Sequence, residues 1–253
     1  MSIAPLTGAR YLLTGIGLIL RPGLRRFVIV PVLVNTLIFA GATAYGLTQF
    51  ADLIAWLETL IPAWLEWLTW LLWPLFILAL LVLVFFTFGL LANLIASPFN
   101  GLLAEEVERH LTGRSPSDAG LAELLRDLLP TLVDELRKLG YALFSAVPFL
   151  VLFLIPGINV FAPLLWFVYT AWVMAVQYAD FPMGNHGLKF RAQRARLRER
   201  PFLALGFGAA TGALTSVPIV NFLAMPSAVA GATALWVGEL ASADQDASRG
   251  GVD

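Results

Sequence analysis

The sequence contains no cysteine, which excludes disulfides, thiolate metal sites and a cysteine nucleophile and leaves the redox compartment unmarked. Charge is also scarce: Asp, Glu, Lys and Arg are 13% of 253 residues, about half the ~25% of a soluble globular domain, while 59% are apolar. Such a surface does not stay in water. No Walker sequence, nucleophile elbow, metal-binding histidine pair or set of paired intramembrane carboxylates is present. Gly206-Phe-Gly208-Ala-Ala-Thr-Gly212 lacks the strand-then-helix setting of a nucleotide fingerprint; its Gly208 and Gly212 read instead as a small-xxx-small pair for close helix approach in lipid. Asp180 with His186 falls short of the three or four converging ligands of a metal site. Neither an enzyme nor a metal, cofactor or nucleic-acid partner is therefore expected. A net charge of −1 says nothing of partners.

The few charges cluster, leaving uncharged runs over 27–51, 67–104, 139–179 and 201–238. Each exceeds the ~20 residues of a spanning helix. Strand alternation is missing, and in lipid a helix satisfies its own backbone, so the chain reads as all-α and membrane-embedded. Long spanning helices are expected over 27–50 and 71–95. From 51 to 73 there are Asp52, Glu58 and Glu66, no Lys or Arg, and five of the eight tryptophans, as in an interfacial aromatic belt. The basic residues lie in 10–26, 109–138, 189–200 and at Arg249. By the positive-inside rule these are cytoplasmic, which puts both termini inside and makes the chain a multi-pass protein of an inner, cytoplasmic membrane. The apolar decad Tyr11–Leu20 has no small-residue cleavage site, so no cleaved signal peptide is expected.

Over 115–138, Leu121, Leu124, Leu125, Leu128, Leu129, Leu132, Val133 and Leu136 follow helical spacing with charges opposite, and Ser115, Pro116 and Asp118 supply a start signal. This predicts an amphipathic helix, either against the membrane or another subunit or as part of a small cytosolic lobe. Runs 139–179 and 201–238 are broken alike, at Pro156-Gly-Ile-Asn159 and Pro218-Ile-Val-Asn221, so each is a helical hairpin. The arm 139–155 has 17 residues, ~25 Å against a hydrocarbon core of ~30 Å. Hairpins that penetrate only partly, marking a transport site, and ordinary spanning hairpins both fit. A polar tail, 239–253, is expected to be flexible.

Arg21-Pro-Gly23-Leu24-Arg25-Arg26 precedes the first long helix. Free backbone N–H groups and forked guanidiniums would suit a tetrahedral dianion, although arginines at this place also serve simply as a topology signal. The stretch from Asn93 through Pro98, Asn100 and Gly101 to Glu105 and Arg109 reads as the broken end of the second helix. Glu105 shares a helical face with Glu108 at i+3 or with Arg109 at i+4, and these with His110 or His186 either gate a cytoplasmic mouth or form a solvated face. The basic loop 189–200 either attracts acidic headgroups or anions or simply holds topology.

Four stretches resemble the CysZ sulfate permease family: Gly23-Leu-Arg-Arg26, Ser97-Pro-Phe-Asn-Gly-Leu-Leu-Ala-Glu105, Asp180-Phe-Pro-Met-Gly-Asn-His186 and Pro218-Ile-Val-Asn-Phe-Leu-Ala-Met-Pro226. The resemblance implies a channel-like permease bringing sulfate into bacteria for cysteine synthesis. It further implies two long spanning helices, two partly penetrating hairpins and homo-oligomers, with sulfate bound by Gly23, Leu24 (through its N–H), Arg25 and Arg26. Asn93, Asn100, Asn159 and Asn221 are then expected to line the path. The rival is a structural or lipid-handling membrane protein that shapes the bilayer and transports nothing.

Overall fold

The computed structural model describes residues 3–60, 62, 67, 69–114, 128–217 and 220–241. Among them the regular structure is entirely helical: α1 (Ala4–Ile19), α2 (Arg26–Leu60), α3 (Thr69–Thr112), α4 (Leu128–Leu154), α5 (Ala162–Asn185), α6 (Phe190–Glu199), α7 (Pro201–Thr215), α8 (Asn221–Leu235) and a π-helical turn, Trp236–Leu240. Stretches long and apolar enough to cross a membrane occur at Arg26–Gln49, Leu136–Leu154, Ala162–Asn185 and Leu223–Leu240. The chain is an integral membrane protein of the all-α class.

Two compact units share the chain, one of Ile29–Phe99 and one of Met1–Val28 with Asn100–Asp253. The first holds most of α2 and α3. There the apolar side chains face outward: Leu37 is 72% exposed and Tyr45 68%, as expected where lipid rather than water is the solvent. Helix α2 runs beyond the expected end at residue 50 and takes Asp52 and Trp56 with it.

The second unit is built on α1, α5, α7 and α8, with α4 laid along α5. Its core is rich in small residues: Ala175, Ala179, Ala204, Ala224, Ala228, Ala230 and Ala232 are buried, with larger side chains such as Leu12, Leu18, Phe207 and Trp236 filling between them. Small residues let backbones close in where no hydrophobic force acts between helices in lipid. A Cβ on Gly208 would lie 1.8 Å from the Ala171 carbonyl oxygen, and one on Gly206 2.0 Å from that of Pro5. Gly212, expected to share this packing, has nothing within 4 Å of such a Cβ. The contact face of α7 is therefore Gly206 and Gly208, and each glycine admits a different neighbour, α1 or α5.

Three boundaries differ from the expected ones. Helix α3 does not break at Pro98, Asn100 or Gly101 but continues to Thr112. Proline gives up a single N–H bond, and the buried Leu103, Ala104 and Val107 beyond it hold the helix to the core. Helix α4 runs from Leu128 through Gly140 to Leu154, so the described part of the amphipathic segment and the first hairpin arm are one helix, ~40 Å long. The start signal Ser115–Asp118 and the remainder to 127 lie outside the described residues, as do Trp64, Pro218 and the tail from 242. The tail's first residues, Glu239 and Leu240, belong to the π turn.

Burial separates the spans. Only 6% of the Leu136–Leu154 span is buried, against 72% of Leu223–Leu240, so α4 turns its apolar face outward and α8 is the unit's interior. The turn 155–161 closes the first hairpin with Gly157 at φ +84°, a left-handed conformation that glycine adopts without strain. In the second hairpin, α7 has 15 residues, ~22 Å, and falls short of a ~30 Å core.

Candidate functional site

The arginine turn joins α1 to α2. Gly23 at φ +93° reverses the chain, and Leu24, 2% exposed, pins the turn to the core. The N–H groups of Leu24 and Arg25 both donate to the Arg21 carbonyl oxygen, at 3.2 Å each. The Leu24 N–H, expected to face an anion, thus closes the turn, while the guanidiniums of Arg25 and Arg26 project into solvent. Arg26 stands 3.7 Å from Glu106 and over the Phe27 ring at 4.9 Å. Glu106 also pairs with Arg109, and Arg21 donates to His110 Nε2 at 2.7 Å. Arg26 and Arg109 therefore share the Glu106 carboxylate, with Arg21 held by His110 one turn on along α3. An exposed pair at 3.7 Å holds Arg26 by at most ~1 kcal/mol, so a dianion can take the place of the carboxylate.

Two residues past Glu106 and on another face of α3, Glu108 is 8% exposed and faces the end of α5. Its two oxygens lie 2.9 and 3.0 Å from His186 Nε2. The His186 ring sits 5.3 Å from that of Trp236 in the π turn, and Asn185 Nδ2 donates to the Gly101 carbonyl at 3.0 Å. These contacts join the stretches ending at Glu105 and at His186, which are 81 residues apart in sequence.

Below them, Asp180 pairs with Lys138 of α4 and accepts from the buried Gln193 of α6 at 2.8 Å, tying α4, α5 and α6 together. Glu239 pairs with Arg200 and accepts from the Tyr11 hydroxyl at 3.3 Å. Burial first, then the charge and hydrogen bond of Glu239, raises the Tyr11 pKa above the usual phenol value and keeps it a donor.

Among the residues singled out, the structure brings Arg26 and Arg109 onto one carboxylate and His186 onto Glu108. Asn100 is 6% exposed, its Nδ2 unpartnered among the described residues. Asn159 and Asn221 sit exposed at or beside the two hairpin tips, and no hydrogen bond joins their side chains to each other or to Asn100. The Asn93 side chain lies outside the described residues, and Glu105 is half-buried on α3. Glu106, Lys138 and Gln193 were not singled out as site residues, since charges that pair across 42 or 80 residues leave no spacing to read.

A family model described as Sulfate transporter CysZ/Etoposide-induced protein 2.4 matches residues 11–226, which include all four motif stretches. Proteins named sulfate transporter CysZ from Salmonella paratyphi A and Salmonella enteritidis PT4 are each 44% identical over 234 residues, 92% of this chain and 92% of theirs.

Proposed function

Since the chain belongs to the Sulfate transporter CysZ/Etoposide-induced protein 2.4 family, a family of transporters and not of enzymes, we propose that it passes sulfate across the membrane that holds it. The observation that carries this is the 44% identity along nearly the whole chain to proteins of that name. The arginine turn supports it. Sulfate meets Arg25 and Arg26 at the turn shaped by Gly23 and anchored by Leu24, exchanging with Glu106 for Arg26. Affinity stays weak enough for release, as conduction requires. The ion then moves past amides, Asn93, Asn100, Asn159 and Asn221 being the proposed lining, with Glu105, Arg109 and His186 as the gate. Passage is channel-like and inward, supplying cysteine synthesis in a bacterium. The distribution of Lys and Arg supports an inner-membrane setting with both termini cytoplasmic. Homo-oligomers would cover part of the outward apolar face of α4.

Labelled sulfate flux into proteoliposomes tests the whole reading: uptake above that of empty liposomes is expected, and impermeable vesicles refute transport. Replacing Arg25 and Arg26 together by alanine tests the site. Sulfate binding to the purified protein should fall more than tenfold with the loss of two charge-assisted contacts at ~1.5 kcal/mol or more each; unchanged affinity removes the assignment.

A further inference from the structure

A groove of about 200 Å³ lies between the bases of α4 and α5, floored by Leu139, Ala142, Val173 and Val176 and rimmed by Lys138, Tyr141, Gln177 and Phe190. Its wall is fixed. The Tyr141 ring meets Phe190 edge-on at 5.4 Å, its hydroxyl accepts from Trp172 Nε1 at 3.3 Å, and the Arg194 guanidinium lies 3.9 Å above it. Arg194 also stands 5.3 Å from Phe190, and its Nε is buried with no partner among the described residues. Stacking fixes a guanidinium without occupying its N–H edges.

Helix α6 is two-faced. Phe190, Gln193 and Leu197 turn inward, while Arg191, Arg194 and Arg198 follow i, i+3, i+7 spacing along another face. The segment 189–200 carries six bases and one acid, Glu199, which Arg196 pairs at 3.0 Å. Of the acids near the groove, Asp180 is held by Lys138 and Gln193. The helix follows Asn185, where the α5 span ends, and meets α4 at Tyr141, five residues past Leu136, where the α4 span begins, so it lies at headgroup level. An apolar slot beneath a fixed arginine and an arginine stripe at that depth match one amphiphile.

We propose that this groove and the α6 stripe form a binding site for an anionic phospholipid, an acyl chain in the groove and the phosphate against Arg194 and Arg191. The site is independent of the sulfate reading and shares no residue with the arginine turn. Each arginine near an acidic headgroup contributes about 1 kcal/mol, a fivefold change in affinity.

Detergent-purified full-length protein would be titrated with dioctanoyl phosphatidylglycerol and dioctanoyl phosphatidylcholine and the adducts counted by native mass spectrometry. Phosphatidylglycerol should bind at least fivefold more tightly. Arg194→Ala should remove about fivefold of that preference, and Ala142→Trp, which fills the groove, should weaken both lipids. Should Arg194→Ala not fold, Arg191→Ala with Arg198→Ala, both exposed, tests the same stripe. Equal binding of the two lipids overturns the proposal, as does a preference untouched by loss of the stripe. So does a groove covered by a second copy of the chain, seen as a lipid-independent oligomer that Ala142→Trp dissociates.

Discussion

Replacing Gly208 by alanine tests how the second unit is held together. The new methyl carbon would fall 1.8 Å from the Ala171 carbonyl oxygen, 2.7 Å from its carbon and 3.0 Å from the Ala175 nitrogen. All three are backbone atoms of α5, so no side chain can swing aside. Reaching an ordinary contact of 3.4 Å requires α5 and α7 to separate by about 1.6 Å. The separation loosens the neighbouring contacts of Phe207 and Thr211, buried on the same helix. Overpacking of this kind costs ~1–3 kcal/mol, or more where only backbone can move. At roughly 2–4 °C per kcal/mol for a chain of this size, Tm should fall by about 2–12 °C. The control is Gly212→Ala, which meets nothing within 4 Å. Relieved of helical glycine, it should hold Tm or raise it by the ~1 kcal/mol that separates the two residues. Thermal unfolding of both variants in one detergent, followed by intrinsic fluorescence, makes the comparison. If Gly208→Ala melts with the wild type, or Gly212→Ala is the weaker of the two, the close approach of α7 to α5 is wrong.

His186→Ala leaves the Glu108 carboxylate, 11% exposed in its side chain, without its imidazole partner, and an orphaned buried acceptor costs ~1–3 kcal/mol. Adding Glu108→Gln should recover part of the lost Tm, and strictly additive losses would show that the pair is not coupled. Gly23→Ala forces an alanine to φ +93°, a strain of ~1–2 kcal/mol that either distorts the turn or lowers Tm. Sulfate affinity should drop several-fold with it; binding at wild-type strength would mean that the shape of the turn does not position the arginines.

The sequence alone determined the membrane class: 13% charge and four long uncharged runs place the chain in lipid, and without the strand alternation of a barrel its backbone is satisfied by helices. The Pro-Gly-Ile-Asn interruption coincides with the turn between α4 and α5 because proline and a left-handed glycine act locally. The same local rule misread Pro98 and Gly101, where packing of Leu103, Ala104 and Val107 outweighs a weak propensity. It also set a boundary between 138 and 139 where α4 runs on through Gly140, whose cost to a helix of ~1 kcal/mol tertiary contact offsets.

Gly208 and Gly212 look alike in sequence, and only the place of α5 decides that one is a contact and the other is open. The arginine turn was visible as a motif, but its inward Leu24 N–H and the meeting of Arg26 with Glu106 were not. Local chemistry depends on neighbours within a few residues and can be read along the chain. The pairing of Glu108 with His186, like that of Lys138 with Asp180, is fixed by how helices distant in sequence stack, and that is decided only when the whole chain packs.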